Sequence, residues 1–400
     1  MNNILEEAKA LQGVIVKDRR YLHQNAELGM DLPKTTAYVL ARLKEMGYDP
    51  KLITDSAIVA LAGGKKPGKT FLIRADMDAL PIAEENDLEY KSKTKNMHAC
   101  GHDAHTAMLL GAAQLLKNHE DEIGGTVKLM FQPGEEQLAG AKAMIKAGVL
   151  ENPKVDAAAM IHIFSGMPVP SGTLIVPEGG YITSSGDAFH IDIKGKGGHG
   201  SMPNKSVDPL NIASHIYIDL QDIIAREMAP DSTAVITVGQ MHGGNAANII
   251  PDTAFMEGSI RAFDSTEREF MKNRVVEIAN SVASTFGATV NVEYTMECPS
   301  VYNNPGLYDQ IVKINRELLG KDNIKGFDAV YPGGKMTGSE DFGYMSEKVP
   351  SIMMVLGGGS PEEGYPYPQH HPKINFNEDV FYLGSAVYAN TAIEWLKINK

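Results

Sequence analysis

In LPKTTAYVLARLKEMGYDP the apolar residues Val39, Leu40, Leu43 and Met46 recur at helical spacing, and Gly47 stands where a helix C-cap belongs. From there, short apolar and β-branched runs alternate with longer helical ones. AIVALA and TFLIRADMD predict strands, HTAMLLGAAQLLKNH a helix, TVKLMFQ a strand, LAGAKAMIKAG a helix and VDAAAMIHIF a strand. Such alternation predicts an α/β sheet with helices on its faces. Near Gly186 the rhythm changes. DAFHIDIKG alternates as a strand does, and a helical stretch follows from about Asp208 to Arg226. Two strands come next, TAVITVGQMH and TAFMEGSIRAF, then a helix around EREFMKNRVVEIANSVAS and a strand, TVNVEYT. That order, β-α-β-β-α-β, is the ferredoxin-like one. Past residue 297, PSIMMVLGGG predicts a buried strand and NEDVFYLGSAVYANTAIEWLK a final helix. The pattern therefore predicts a discontinuous α/β domain, 1–185 and 297–400, interrupted by an α+β insert over 186–296.

Composition agrees with two domains. The chain has 400 residues, more than one ordinary core accommodates, with 43% hydrophobic and 22% charged residues. A net charge of −13 and the lack of any long Lys/Arg run argue against nucleic acid or an anionic membrane as partner. Two cysteines, Cys100 and Cys298, are too few for a disulfide scaffold. MNNILEEAKALQ lacks the apolar core of a signal peptide, and no apolar run approaches the ~18 residues of a membrane span, so a cytoplasmic location is expected.

The chemistry gathers after the predicted strands, where open α/β sheets bind their ligands. Asp76 and Asp78 follow FLIRA, Glu135 and Glu136 follow TVKLMF, and His162 closes VDAAAMI. His370 and His371 lie in the loop after PSIMMVLGGG. NMHACGHDAHT adds His98, Cys100, His102, Asp103 and His105 just before a helix. Singly, each has an ordinary explanation: a core histidine, an inert buried thiol, acidic residues at a solvated helix start. Together they describe a metal site. Carboxylate, imidazole and thiolate suit zinc, manganese, cobalt or nickel, and the donors exceed what one catalytic zinc uses, which favours two ions.

The ordered motifs DMDALP, HACGHDAHTAMLLGAA, FQPGEE, GKGGHGSMP, GGNAANIIPD, GSEDFG and HHPKINFNED span nearly the whole chain. They resemble the amidohydrolase branch of the aminoacylase/carboxypeptidase metallohydrolases, which includes hippurate and indole-acetyl-amino-acid hydrolases. The resemblance implies a zinc-exopeptidase-like α/β catalytic domain carrying a ferredoxin-like satellite domain for dimerisation or closure, and a homodimer. It implies two divalent metal ions (Zn, Mn, Co or Ni) on Cys100, His102, Glu136, His162 and His370, with Cys100 as a bridging thiolate. Glu135 corresponds to the general base and Asp78 to a supporting carboxylate. His199 corresponds to an oxyanion-stabilising histidine, and Asn245, Asn248 and Arg261 to groups that bind the substrate carboxylate. The implied reaction is hydrolysis of a small N-acyl amino acid. Alternatives are N-acetyl-diaminopimelate deacetylase, carboxypeptidase or dipeptidase action on the same kind of bond. More distant ones are a cysteine hydrolase using Cys100 with His102, and a non-catalytic binding protein. The segment IFSGMPVP departs from the Trp–Pro pair common among relatives, which leaves the acyl group open.

Overall fold

The computed structural model describes residues 4–400. The first three residues of MNNILEEAKALQ, read above for a signal peptide, lie outside the described residues. The chain forms two compact units. One comprises the chain up to Ile182, Val301–Lys335 and Asp341–Lys400; the other comprises Thr183–Ser300 and Met336–Glu340.

The first unit is built on an eight-stranded sheet. Its four central strands, Thr126–Gln132, Thr70–Asp76, Ala157–Phe164 and Ser351–Gly357, run parallel in that spatial order. The last three are buried along their whole length and the first nearly so. This is why they read as continuous apolar runs rather than alternating ones: helices cover both faces of a parallel sheet. Ile58–Gly63 extends the sheet antiparallel at one side. Shorter strands, Lys51–Leu52, Leu174–Ile175 and Ile324–Lys325, complete it. Two residues each are too few to leave a periodic signature.

His102–Asn118 packs against the C-terminal helix Phe381–Ile398, and both are buried nearly all round. Two further helices, Ile4–Ala10 and Gln12–Gln24, were not visible in the apolar pattern. The reason is chemical: Gln12–Gln24 buries Asp18, Arg19 and His23 alongside only Ile15 and Leu22, so polar residues interrupt its inward stripe. Arg19 is matched by Asp103, Nε to Oδ2 at 2.9 Å. A buried charge is tolerable only with such a partner.

The second unit carries a four-stranded antiparallel sheet in the order Ala234–Gly243, Thr253–Ala262, Asp187–Lys194, Thr289–Met296. Helices Pro209–Asp222 and Ser265–Thr285 share one apolar core with it. Asp208 and Asp264 cap them, accepting from the N–H of Leu210 and from those of Thr266 and Glu267. The strand order and the β-α-β-β-α-β sequence make it ferredoxin-like. A buried bidentate pair, Arg268 to Asp187 at 2.8 and 2.7 Å, ties the second helix to the first strand.

Candidate metal centre

The carboxyl ends of the parallel strands carry the donors. Asp76 ends one strand, and Asp78 lies two residues on. Cys100 and His102 flank Gly101, whose φ of +93° turns the chain into the helix His102–Asn118. A Cβ there would sit 2.7 Å from Cγ2 of Ile163 and 2.9 Å from Phe376. Only glycine allows this approach, so the spacing Cys-Gly-His is a packing requirement as well as a chemical one. Glu135 and Glu136 lie in a turn after Thr126–Gln132, not at a helix start; the next helix, Gly140–Lys146, begins four residues later. His162 is the third residue from the end of its strand. His370 has φ +66°, and its N–H donates to Ala99 O at 2.8 Å, which holds this loop beside Cys100.

Asp78 organises three of these residues. Its Oδ1 accepts from the Glu135 N–H at 3.0 Å and its Oδ2 from the Glu136 N–H at 3.2 Å. Its backbone oxygen accepts from His102 Nδ1 at 2.9 Å. A carbonyl can only accept, so His102 carries a proton on Nδ1 and turns Nε2 inward as the nitrogen left for a cation. Burial lowers its basicity, but Asp76 and Cys100 beside it raise it well above the usual range, and a bound cation displaces the proton that this adds. His162 is anchored in the same way: Nδ1 donates to Ile163 O at 2.8 Å, and Nε2 lies 3.5 Å from Cys100 Sγ. Second-partner anchoring of this kind sets which ring nitrogen is free to bind a cation.

The donors form overlapping triads whose atoms lie within 4.8 Å of one another. Two of them, Cys100–His102–His162 and Cys100–Glu136–His370, share the Cys100 sulfur. A third joins His102 with Glu135 and Glu136. His102 Nε2 is 3.8 Å from Glu135 Oε2 and 3.9 Å from Glu136 Oε1, and His370 Nε2 is 3.6 Å from Glu136 Oε1. The neighbouring His371 is turned elsewhere: its ring stacks on Tyr367 with centroids 4.2 Å apart, and its Nδ1 accepts from Lys373 N–H.

These residues fit a pair of divalent cations. His102 Nε2 and Glu136 Oε1 are buried without a hydrogen-bond partner, a costly state for polar atoms unless something else binds them. Electrostatics point the same way. Burial, reinforced by Asp78 and Asp76, pushes the Glu136 carboxyl up to about 7, although His102 pulls it down. Burial and then Glu136 raise the Cys100 thiol well above its usual range. Burial, with His105 beside it, keeps His162 neutral. Bound cations reverse the first two directions, because they supply the charge that deprotonated ligands need.

The remaining predicted residues belong to the second unit. Gly198–His199 pairs with Ile249–Ile250, and Gly200 N–H donates to Asn248 O at 2.9 Å, so His199 and Asn248 share one turn region. The exposed His199 ring takes Ser201 N–H and Oγ on Nδ1, at 3.1 and 2.8 Å. Asn245 is exposed in the same connection. Arg261 is half-buried and donates to Ser185 O and Ser339 Oγ.

A family model described as Peptidase family M20/M25/M40 matches residues 72–394. The chain belongs to this family. The chain is 38% identical to thermostable carboxypeptidase 2 of Saccharolobus solfataricus over 99% of its own length and 98% of that protein's. It is 34% identical to the hippurate hydrolase of Campylobacter jejuni over 99% of this chain and all of that one. Among solved structures, the YXEP protein of Bacillus subtilis, described as a dinuclear metal binding peptidase of the M20 family, superposes with a TM-score of 0.80 at 31% identity, covering 97% of this chain and 99% of the other. This M20 chain is thus a hydrolase of C–N bonds with a donor set for two divalent ions.

Arg74 and Asp341 support the centre and were not predicted. Arg74 is wholly buried between Asp76 and Asp341, at 2.7 and 2.8 Å. A signal for it existed: an arginine inside the apolar run FLIRA needs a buried counter-charge. Nothing in the sequence identifies that counter-charge as Asp341.

Proposed function

We propose that this M20 enzyme hydrolyses the amide bond of N-acyl amino acids, with Cys100, His102, Glu136, His162 and His370 holding two divalent cations and Glu135 acting as general base. One observation carries the reading. Two adjacent carboxylates face the same imidazole nitrogen, His102 Nε2, with both of their backbone N–H groups held by Asp78, and Glu136 also forms a donor triad with Cys100 and His370. Glu136 therefore has the surroundings of a ligand and Glu135 those of a base beside it. The cations, when bound, acidify water and polarise the amide carbonyl. Glu135 removes a proton from the attacking water and delivers it to the departing amine. Asp78 holds both glutamate backbones in register. His199 stabilises the developing oxyanion, and Asn245, Asn248 and Arg261 receive the substrate carboxylate, for which a guanidinium fork is well shaped.

Zinc, manganese, cobalt and nickel all suit the donors. The test is metal removal. After exhaustive chelation, turnover of a panel of N-acetyl, N-benzoyl and N-indoleacetyl amino acids should vanish and return with added Zn, Mn, Co or Ni. Activity persisting in protein shown by elemental analysis to be metal-free would overturn the reading. Carboxypeptidase action is the second reading, favoured by the 38% identical carboxypeptidase relative. Dipeptides and blocked peptides in the same panel separate the two.

The reading extends to a cytoplasmic homodimer assembled through the satellite unit. Its support is the outer strand Ala234–Gly243, which lies at a sheet edge with Val235 and Met241 exposed, and the exposed Ile218 on the neighbouring helix. Unpaired edges and apolar surface of this kind favour association. Light scattering at micromolar concentration should give twice the chain mass; a monomer counts against the assembly.

A further inference from the structure

His105 is a donor that the proposed reaction leaves unused. It lies three residues after His102, is fully buried, and with Asp76 and His102 forms a triad within 4.8 Å. On that proximity alone it passes for a further metal ligand. Its hydrogen bonds say otherwise. His105 Nε2 receives the Ile163 N–H at 2.8 Å. A backbone N–H can only donate, so the Nε2 lone pair is already used. The proton must then sit on Nδ1, which donates to Asp76 Oδ1 at 2.6 Å. Both ring nitrogens are committed, and the ring is in one neutral tautomer.

We propose that His105 is a positioning residue that aligns His162 through the Ile163 peptide, with Asp76, Arg74 and Asp341 fixing its tautomer, and that it binds no metal itself. This rests on the reading of His162 as a metal ligand.

The backbone explains why a side chain is needed there. Strand Thr70–Asp76 pairs with Ala157–Phe164 only as far as Arg74 opposite Met160. Beyond that point the second strand loses its ladder partner on this side, and buried N–H groups must find others. Tyr388 Oη takes the Ile161 N–H at 2.8 Å, and His105 takes that of Ile163. The carbonyl of the same Ile163 anchors His162 Nδ1 at 2.8 Å. The His105 ring also packs edge-on to the His162 ring, with centroids 4.5 Å apart at 74°. His105 thus restrains both the backbone from which His162 hangs and one face of its imidazole.

The support continues inward. Asp76 Oδ2 takes Arg74 Nη1 at 2.7 Å, and Asp76 O takes Thr106 Oγ1 at 2.8 Å. Arg74 Nη2 reaches Asp341 at 2.8 Å, and Asp341 further takes Gln132 Nε2 and Ala141 N–H. Arg74, Asp76, His105, Gln132 and Asp341 are all at 0% exposure, so no water competes for these bonds. A fully satisfied buried network of this kind is rigid.

Three substitutions separate the roles. His105→Gln can place its amide oxygen where Nε2 was and still accept from Ile163. His105→Asn keeps the donor to Asp76 but loses that acceptor. His105→Ala loses both. Each variant would be loaded with cobalt and measured for stoichiometry, affinity against a competing chelator, and visible spectrum, with melting of the metal-free protein as the fold control. All three should bind two cobalt ions per chain. His105→Ala should lose about 10- to 100-fold in affinity for one ion, the usual range for an outer partner of a ligand, and shift the cobalt bands. His105→Gln should restore most of the loss and His105→Asn little. In turnover, kcat should fall with KM unchanged. Stoichiometry falling to one in His105→Gln would make His105 a ligand and overturn the proposal. Unchanged affinity and spectrum in His105→Ala would overturn it too. Should the alanine variant fail to fold, equal affinities of His105→Asn and His105→Gln would overturn it. His162→Ala is the control for the parent reading: if it binds metal as tightly as the unmodified protein, that reading has failed. If His162→Ala loses metal and His105→Ala does not, only the present inference has.

Discussion

Glu135→Gln should bind the same two cations as the unmodified protein and turn over about 100- to 10,000-fold more slowly, the range that removal of a general base spans. The amide matches the carboxylate in size and cannot take a proton. Its backbone N–H stays bonded to Asp78 Oδ1, so the turn that carries it should persist. Glu136→Gln should give the opposite result. Glu136 contributes a buried oxygen with no hydrogen-bond partner and lies 3.6 Å from His370 and 3.9 Å from His102. Loss of its charge should weaken metal binding before it touches the chemistry. Equilibrium dialysis with elemental analysis, followed by assays at saturating metal, distinguishes the two variants. Normal turnover by Glu135→Gln would remove Glu135 from the mechanism.

Arg74→Met should destabilise the first unit by about 3 to 5 kcal/mol, the usual cost of breaking a buried ion pair from one side. The arginine is fully buried and pairs with both Asp76 and Asp341. Methionine fits the space but leaves two carboxylates in a low-dielectric interior. Their charge, not the lost arginine contacts, supplies most of the penalty. Adding Asp341→Asn should therefore recover part of the stability, since the amide still meets Gln132 without a charge. Urea unfolding followed by tryptophan fluorescence suits the measurement, because the single tryptophan, Trp395, lies in this unit's C-terminal helix. If Arg74→Met shifts the midpoint no more than a surface substitution does, Asp76 and Asp341 do not depend on it for their charge. The same variant should loosen the metal centre, because Asp76 would lose the partner on its second oxygen.

Apolar patterning disclosed the elements that bury a continuous face. The parallel strands are wholly or almost wholly buried, so the runs FLIRA, TVKLMF and AAAMIHIF were legible without any partner. The alternating strand DAFHIDIK was legible for the opposite reason, since one of its faces is buried and the other is not. Helix Gln12–Gln24 was not, because its inward residues include charges that make sense only beside Asp103 and Glu378. Residue type and place also disclosed the candidate centre: five donors of the right chemistry stood after strands or before a helix. Nothing local in the His370–His371 doublet says which ring faces the other donors, because identical neighbours carry no directional information. In the fold His370 Nε2 lies 3.6 Å from Glu136 Oε1, while the His371 ring stacks against Tyr367.

By itself, then, the sequence determined the α/β architecture, the interruption by a ferredoxin-like unit, the family and the kinds of atom the centre offers. These follow from local periodicity and from residue chemistry, both of which act over a few positions. Only the tertiary structure decided which nitrogen of each histidine is free, which of the two histidines faces the centre, and that His105 is occupied by a backbone N–H. For His102 and His105 those answers depend on partners well outside the local sequence, Asp78 at 24 positions and Ile163 at 58, and for His162 on the carbonyl of the next residue, whose direction the sheet sets. A lone pair is directional, and its direction is settled by whatever the fold brings opposite it.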